Sequence, residues 1–463
     1  MAASLLFWYD TGMQLHVEDP HDLTRGSIVK KMVLFFLPLL LGSILQQLYT
    51  TVDAIIIGNF SGKMGLAAID SVASLLRLPV NFFMGISTGA TILIGQYFGA
   101  ALKEKVQVTI HTSITFGILG GLLLSVIGIL VAPYCVELLE VPQELQVYST
   151  SYMRVMFGGL FVSLIYNIAS GISRALGNSK TPFYALAVAT VLNILLDLLF
   201  IVVFDMGVAG AALATVLSQA VSAILMVLSL TKLPYDMRFF FSHIGIKKDS
   251  LMRMIRLGLP VGFQASLYPI ANMLIQTSIN QLGTDTIAAW ALTGKLDLLI
   301  WVGAESFYSA ISTFVAQNYG AGQLGRIRKG VRFGLLLNMS FVILISAVLF
   351  FFSGTLAKIF ISPEDYDILP QTVYMMRFLA PLYFLVVIGD SFGAAIRGSG
   401  ETLIPMILSL LATCVLRVLW VLFVVPSSHN MRTIMLSYPI SWAASVLLYS
   451  IYYYHYQKKH FPL

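Results

Sequence analysis

Long apolar segments recur along the whole chain, and they restrict its fold more than any other feature of the sequence. A helix needs about 20 mainly apolar residues to cross the hydrocarbon core of a membrane. Within lipid, every backbone N–H and C=O group must find a partner inside a helix or a closed barrel. The sequence therefore predicts an all-α integral membrane protein with twelve transmembrane helices. The predicted spans are residues 32–57, 66–98, 106–132, 147–172, 182–205, 207–231, 251–281, 286–317, 330–352, 371–396, 403–425 and 432–456.

The composition agrees with this prediction and excludes other classes of protein. Of the 463 residues, 58% are hydrophobic and 11% are charged, and the mean hydropathy is +0.85. Soluble globular proteins carry roughly 25% charged residues. The net charge of +6 does not indicate a nucleic acid as partner, because the basic residues lie in short loops between apolar segments. The lipid bilayer is the expected surrounding of most of the chain.

Lysine and arginine are distributed unevenly between the loops on the two sides of the predicted spans. If the N-terminus is inside, the outer loops contain Lys63, Lys358 and Arg432, and the inner loops contain many more basic residues. Short cytoplasmic loops are enriched in Lys and Arg. We therefore expect a multi-pass protein of the cell inner (plasma) membrane. Both termini are cytoplasmic in this topology, as an N-terminal segment at residues 1–31 and a tail at residues 457–463.

Two motifs occur twice in the chain. QYFGA at Gln96–Ala100 returns as QNYGA at Gln317–Ala321, and Arg174–Pro182 aligns with Arg397–Pro405. Each half holds six spans, so the two halves share one topology and a pseudo-two-fold axis along the membrane normal relates them. This duplication favours transport by alternating access, although a channel or a rigid scaffold could also be duplicated. The predicted units are an N-lobe at residues 32–231, a solvated cytoplasmic linker at residues 232–250 and a C-lobe at residues 251–456.

Two acidic residues interrupt apolar spans of the N-lobe. Asp53 lies near the outer end of the first span, and Asp197 lies in the run NILLDLLFIVVFD of the fifth. A charge at the centre of a bilayer costs at least about 2.5–3.5 kcal/mol, so such residues usually have a function. Asn193 shares a helical face with Asp197, and Thr215 of the sixth span lies at a similar depth. One proton, or one hard cation bound by these oxygen atoms, would neutralise the cluster.

The chain resembles the multidrug and toxic compound extrusion (MATE) transporters from Lys30 to about His455. The resemblance rests on Val52-Asp53-Ala54, on Asn193-x-x-x-Asp197 and on the two repeated motifs. It implies two bundles of six helices around a V-shaped central cavity. It also implies export of bulky, often cationic organic molecules, driven by inward movement of Na⁺ or H⁺ and without a cofactor.

The resemblance also implies a cation-coupling site in the N-lobe. Its members here are Asp53, Asn167, Asn193, Asp197 and Thr215, and Na⁺ is a candidate ligand at Asp53 and Asp197. Some members of the family carry a carboxylate in the seventh span, but Leu257 to Gln281 contains none, and Tyr268 stands near that place. The candidate residues of the substrate cavity are Asp390, Glu305, Tyr49, Phe82, Tyr166, Tyr268 and Phe392.

Two rival functions are compatible with parts of the sequence. The first is a lipid-linked oligosaccharide flippase of similar architecture, which would be expected to line its cavity with several basic residues. The second is an intramembrane enzyme, but no nucleophile with a base, no metal-spaced histidines and no phosphate-binding loop are found. Cys135 and Cys414 fall in different halves and predict neither a disulfide nor a metal site. We expect a monomeric transporter, and the sequence leaves Na⁺ and H⁺ open as coupling ions.

Overall fold

A computed structural model describes residues 21–428 and 430–460, with the side chain of Lys63 excepted. These residues form helices joined by short loops, and no β-strand occurs among them. Most of the predicted N-terminal segment, residues 1–20, and the last residues of the predicted tail, 461–463, lie outside the described residues. The prediction of an all-α fold is thus confirmed.

Twelve helical spans follow one another along the chain, and each contains one of the predicted spans or nearly all of it. Most are longer than predicted, because the helices continue beyond the apolar residues. We number them α1 (Ile28–Phe60), α2 (Gly62–Gly99), α3 (Lys103–Leu138), α4 (Gln143–Gly158 with Leu160–Ala175), α5 (Lys180–Val203), α6 (Gly207–Leu230), α7 (Lys248–Asn280), α8 (Thr284–Leu296 with Leu298–Gly320), α9 (Leu324–Ala357), α10 (Pro363–Gly398), α11 (Leu403–Ser427) and α12 (Met431–His460).

One of the predicted spans is less apolar than the others. Within residues 21–428 and 430–460, ten helices are long and apolar enough to cross a membrane, and the bent pair in α4 makes eleven. The remaining span is α7, whose 33 residues extend about 50 Å at 1.5 Å per residue. Two of its polar side chains bond to other helices: Gln264 donates to Ser409 Oγ (3.0 Å), and Asn272 accepts from Arg417 (3.2 Å). Part of its polarity is therefore used in contacts with α11.

Several spans are broken, and the breaks have local causes. α4 bends by 44° at Gly159, where a Cβ atom would overlap the side chain of Val216 in α6. α8 is interrupted at Asp297. The winding of α5 changes from α to π over Leu198–Val203, and α11 contains a π-helix at the related position Trp420–Val424. The internal repeat thus extends to irregular backbone geometry.

The first helix of each lobe packs against both lobes. We call the side that carries Gln96 and Gln317 the inner side. Near the inner side, Phe36 of α1 stacks on Phe307 of α8, with 3.6 Å between ring centroids. Near the outer side, Ile57 of α1 packs with Ile201 of α5 in the N-lobe. α1 therefore crosses from one lobe to the other along its length.

α7 makes the equivalent crossing in the opposite direction. Its inner residue Met254 packs with Ile86 and Leu93 of α2, whereas its outer residue Ile279 packs with Val425 of α11. Glycines allow the close approach of α7 to α2. A Cβ atom on Gly85, Gly89, Gly258 or Gly262 would overlap backbone atoms of the facing helix. The two lobes are thus in backbone contact in their inner halves.

The linker between the lobes is predicted to be a solvated loop; residues 241–249 are exposed, and its backbone is also hydrogen-bonded to α3. Four side chains of α3 bond to its backbone. Gln107 Nε2 donates to the carbonyls of Tyr235 (3.1 Å) and Arg238 (3.0 Å), and His111 Nε2 accepts from the N–H of Phe240 (2.9 Å). Thr115 accepts from Gly245 (3.1 Å), and Thr112 accepts from Lys247 (3.2 Å). Phe239 is buried beneath this contact, at 1% exposure.

The sidedness of the membrane stays a prediction, and thiol labelling can test it. Single cysteines at Gln323 and at Glu364, in a background without Cys135 and Cys414, should react from opposite sides of the membrane. We expect an impermeant thiol reagent to reach position 364 from outside intact cells and position 323 after permeabilisation. Reaction of both positions from outside would contradict the topology with cytoplasmic termini.

Candidate functional site

An acidic residue lies where α5 changes its winding. Asp197 is the last residue of the α-helical part, and the π-helix Leu198–Val203 follows it directly. Short π segments inside α-helices are often found at functional sites. Asn193 lies one turn before Asp197, and both side chains are 0% exposed. The local geometry therefore holds an acid and an amide inside the N-lobe.

Asp53 of α1 lies beside Asp197. The outer half of α1 packs on α5 and α6 through Ile57, Ile201 and Ala211. This packing places the carboxyl groups of Asp53 and Asp197 close enough to interact electrostatically, without a hydrogen bond between them. Two carboxylates at this separation repel each other in a medium of low dielectric constant, so the pair is stabilised by a shared proton or a bound cation.

Tyr49 and Thr215 complete a set that we call the acidic cluster: Tyr49, Asp53, Asn193, Asp197 and Thr215. Tyr49 is predicted to line the substrate cavity, whereas the structure places its hydroxyl near Thr215 and Ser218 of α6. The hydroxyl does not reach the geometry of a hydrogen bond with any described residue. Ser218 itself donates to the carbonyl of Thr215 (2.9 Å). The cluster therefore combines side chains from α1, α5 and α6.

Several buried atoms of the acidic cluster lack a hydrogen-bond partner among the described residues. They are Asp53 Oδ1, both carboxyl oxygens of Asp197, both amide atoms of Asn193 and the hydroxyl of Tyr49. Buried polar side-chain atoms are usually bonded, and leaving one unbonded costs about 1–3 kcal/mol. Oxygen atoms form most of this set, and oxygen is the ligand that hard cations prefer. The cluster is chemically suited to a proton or a hard cation.

Asn167 is the fifth residue predicted for the coupling site, and its side chain folds back onto its own helix. Its Nδ2 atom donates to the carbonyl of Ser163 (2.9 Å), and its own carbonyl accepts from Ser87 of α2 (3.3 Å). Within the described part of the chain, no hydrogen bond joins Asn167 to the carboxyl groups of the cluster. Its place in the coupling site stays a prediction.

Two neighbours of the acidic cluster are missed by sequence reasoning. Tyr152 of α4 lies close enough to Asp53 and Tyr49 to interact electrostatically with both. No pattern distinguishes Tyr152 from the other tyrosines of this segment. Ser218 is the second, and its position three residues after Thr215 on one helical face is a signal that could have identified it.

A second group of charged side chains lies in the C-lobe. Arg397, near the inner end of α10, is close enough to interact with Glu305 of α8 and with Asp390 of α10. Glu305 is accessible to solvent. Asp390 is half-buried nearby.

Arg417 of α11 fixes the position of Tyr268 beside these acids. Its side chain is 2% exposed, and its Nε atom donates to Ser441 of α12 (2.9 Å). The guanidinium lies 4.3 Å from the ring centroid of Tyr438 and 5.8 Å from that of Tyr268. We interpret Arg417 as a structural cation that joins α7, α11 and α12, and Tyr268 as the neighbour that it holds.

The other aromatic candidates occupy different environments. Phe82 of α2 meets Phe263 of α7 edge to face, with 5.7 Å between centroids, at the seam between the lobes. Tyr166 lies beside Arg174 in α4. Phe392 stacks on Tyr453 at 4.7 Å and packs against the C-lobe core. Phe82 is therefore at the seam, whereas Phe392 contributes to packing.

Asp297 is a half-buried acid that is already hydrogen-bonded. It lies at the break in α8, and Tyr383 of α10 donates to its Oδ2 atom (2.6 Å). Lys295, two residues earlier, is exposed near the outer side together with Asp285, Asp365 and Asp367. Asp297 thus differs from Asp197 in two properties: it is only half-buried, and it has a protein donor, whereas both oxygens of Asp197 lack one within the described residues.

The inner side of the seam is closed by the two glutamines of the repeated motif. Gln96 of the N-lobe donates to the carbonyl of Gly398 in the C-lobe (3.1 Å). Gln317 of the C-lobe donates to the carbonyl of Ala175 in the N-lobe (2.8 Å). Gly398 and Ala175 each follow the arginine of the other repeated motif. The two bonds are therefore related by the pseudo-two-fold axis, and we call them the glutamine pair.

Residues before α1 lie across this closed seam. The N–H of Leu23 donates to Gln317 Oε1 (3.0 Å), and the carbonyl of Leu23 accepts from Asn318 (3.3 Å) and Arg326 (3.1 Å). On the N-lobe side, His21 Nδ1 lies 3.4 Å from the carbonyl of Gly177. The side chain of Leu23 is 2% exposed. This N-terminal strap, residues 21–27, thus contacts both lobes.

Two six-helix lobes of one topology, in contact at the inner side, form the duplicated helical architecture that many membrane transporters share. The MatE family model matches residues 38–199 and 260–422, once in each lobe. The chain therefore belongs to the MatE family of multidrug and toxic compound extrusion transporters, and it is a transporter and not an enzyme. This result confirms the resemblance seen in the sequence and favours it over the flippase alternative.

Individual relatives agree with this assignment. The probable multidrug resistance protein YoeA of Bacillus subtilis is 28% identical over 446 residues, which cover 94% of this chain and 96% of the relative. The probable multidrug resistance protein NorM of Thermotoga maritima is 25% identical, with 83% of each chain covered. Both relatives extend across the two lobes.

Solved structures show the same fold. A MATE transporter in complex with MaL6 superposes with a TM-score of 0.89 at 21% identity, covering 96% of this chain and 99% of that one. A MOP superfamily transporter from Pyrococcus furiosus gives a TM-score of 0.87 at 20% identity, with 96% and 98% covered. The two-bundle architecture predicted from the internal repeat is thus confirmed.

Proposed function

We propose that this transporter exports bulky, often cationic organic compounds from the cell in exchange for Na⁺ or H⁺, as a monomer in the plasma membrane. The observation that carries the proposal is the acidic cluster, in which both carboxyl oxygens of Asp197 are buried without a partner among the described residues. Intramembrane acids of this kind usually serve ion or substrate pathways. The multidrug names of the relatives support the proposed substrate class.

The coupling ion acts through the contact of α1 with α5 and α6. When the Asp53–Asp197 pair is charged, repulsion disfavours close packing of α1 on α5, and the cavity accommodates drug. When Na⁺ or H⁺ neutralises the pair, α1 packs closely and bends at Pro38, where the proline removes one backbone hydrogen bond. Ion and drug thus favour different conformations, and the coupling between them is reciprocal.

The C-lobe acids supply the attraction for cationic drugs. Glu305 is accessible to solvent, and Asp390 lies beside it in α10. Carboxylates in a cavity with walls of low dielectric constant attract organic cations more strongly than they would in water. Arg397 partly neutralises both acids, so the site can release a cation as well as bind it.

Alternating access requires the glutamine pair to open. The described structure is closed at the inner side, where Gln96 and Gln317 each bond to the opposite lobe. Loading of drug from the cytoplasm must break both bonds and detach the N-terminal strap from Gln317. The outer side is the route of release.

Neutralisation of Asp197 tests the coupling. In Asp197→Asn, the amide should imitate the neutralised acid, since an uncharged group is cheaper to bury than a carboxylate. The protein should fold, gradient-driven export should collapse, and drug binding should lose its dependence on ions. For the wild type we expect drug affinity to change by roughly 5- to 150-fold across a pH and Na⁺ series, the range of typical coupling energies.

Asp297→Asn is the control, because Asp297 is a half-buried acid of a span that already accepts a bond from Tyr383. This variant should keep the ion dependence of the wild type. If purified Asp197→Asn still responds to pH or Na⁺ as the wild type does, Asp197 is a structural acid and the coupling mechanism is wrong. Transport into vesicles with one gradient at a time identifies the ion.

Replacement of Asp390 separates substrate attraction from coupling. Asp390→Asn should reduce export of a monovalent cationic drug by roughly fivefold or more, since a close pair of charges at an effective dielectric constant near 20 contributes a few kcal/mol at most. Export of a neutral substrate of similar size should change little. The measurement is vesicle uptake of both compounds by the same preparation. Equal loss for both would place Asp390 in the coupling machinery.

Removal of the glutamine pair tests the inner closure. The double variant Gln96→Leu with Gln317→Leu leaves two carbonyls and the N–H of Leu23 without their partners, at about 1–3 kcal/mol for each buried group in the closed state. The population should shift toward the conformation open at the inner side, with longer spin-label distances between the inner ends of α2 and α8. Gln107→Leu is the control, because its two bonds join α3 to the linker and not lobe to lobe. Identical distance distributions in wild type and double variant would contradict the role of the pair.

A further inference from the structure

A groove on the lipid-facing side of the N-lobe lies apart from the acidic cluster and the central cavity. It encloses about 390 Å³, which is within the range of roughly 300–1,000 Å³ typical of small-molecule sites. Residues of α3, α4 and α6 form its walls, and Phe239, Phe241 and Ile244 of the linker form its floor. Every side chain that lines it is apolar, so its occupant must be apolar as well.

The groove lies at the inner edge of the membrane. The linker bonds to α3 at His111, Thr112 and Thr115, and Ile114 and Ile118 of the groove begin on the same stretch of helix. From Gly245 to Lys247 the linker descends about one turn of α3 toward the inner side, roughly 4.5 Å at 1.5 Å per residue. The apolar groove therefore lies on the membrane side of the linker, and the charged side chains of the linker lie on its inner side.

The charges at this level are mainly positive. Lys232, Arg238, Lys247 and Lys248 belong to the linker or begin α7, with Asp249 as a neighbouring acid. The other acid of the linker, Asp236, is paired with Lys103 (2.6 Å), whose hydrogen bond holds the pKa of that carboxyl below its usual range. Lys247 and Lys248 are exposed. An apolar groove with an excess of cations at its inner end is complementary to an anionic lipid.

We propose that the groove binds one acyl chain of an anionic phospholipid from the inner leaflet, with the headgroup phosphate held by Arg238 and Lys247. The floor residues belong to the segment that joins the two lobes. A bound lipid therefore fixes the linker against α3 and holds the start of α7 in place. This site is distinct from the coupling and substrate sites, and its test does not depend on transport.

Photocrosslinking of purified, full-length transporter tests the site. Phosphatidylglycerol and phosphatidylcholine, each with a diazirine in one acyl chain, are added separately to the detergent-solubilised protein, and crosslinked peptides are mapped by mass spectrometry. Crosslinks should fall in α6 and in residues 239–244. Phosphatidylglycerol should give at least about fivefold more product there, because each cation near an anionic headgroup contributes about a factor of five. Equal yields of both lipids at the groove would overturn the headgroup assignment.

Matched variants separate the groove from general contact with lipid. Ile224→Trp fills the groove and should abolish most of the crosslinking, whereas Leu225→Trp, on the adjacent exposed position outside it, should not. Lys247→Gln should reduce the preference for phosphatidylglycerol about fivefold, and Lys180→Gln, an exposed inner residue of α5, should leave it unchanged. Equal loss in both tryptophan variants, or crosslinks found only outside the groove, would show that no lipid occupies it.

Discussion

The cost of an unbonded polar group away from water governs every part of this structure. It forces the backbone into helices, since an α-helix satisfies its own N–H and C=O groups. It also makes each polar side chain within the spans informative about its role. Arg417, which is buried, and Asp297, which is half-buried, have partners in Ser441 and Tyr383, and these bonds join helices of the C-lobe. Asp197 and Asn193 are fully buried without such partners among the described residues, which is why the acidic cluster is the candidate ion site.

The same constraint explains how the internal repeat organises the closed seam. Duplication places two copies of each motif around one axis, so a contact made by one copy is available to the other. Gln96 and Gln317 use this property, because each satisfies a carbonyl at the end of the opposite lobe's helix. The acidic cluster does not: Asn167 and Asp390 occupy related positions, but one bonds to its own helix and the other is near Glu305 and Arg397. The hydrogen bonds that close the inner side are symmetric, whereas the buried polar residues of the two lobes differ.

Much of the fold follows from the sequence because it depends on patterns that one chain displays. The twelve spans follow from apolar length, the two lobes from repeated motifs, and the proximity of Asp53 to Asp197 from their similar depth. Other features depend on which surfaces meet, and apolar residues do not specify this. The sequence around Phe36 does not distinguish packing within its own lobe from the packing observed, which is against Phe307 of the C-lobe. The positions of Tyr152 and of the Tyr49 hydroxyl near the acidic cluster likewise depend on how the helices pack, which the sequence does not specify. The run of polar side chains in α3 from Thr109 to Thr115 is visible in the sequence, and it could have indicated that a polar segment such as the linker docks there.

The crossing of α1 and α7 has a consequence for the origin of the architecture. The inner half of each lobe's first helix packs against the other lobe. Neither set of six helices is therefore a complete packing unit by itself. Two separate six-helix chains related by the same axis would exchange these helices in the same way, which is the arrangement of a domain-swapped dimer. Fusion through the linker then converts a concentration-dependent association into an intramolecular one. The exchange keeps the lobes interlocked while their outer halves move.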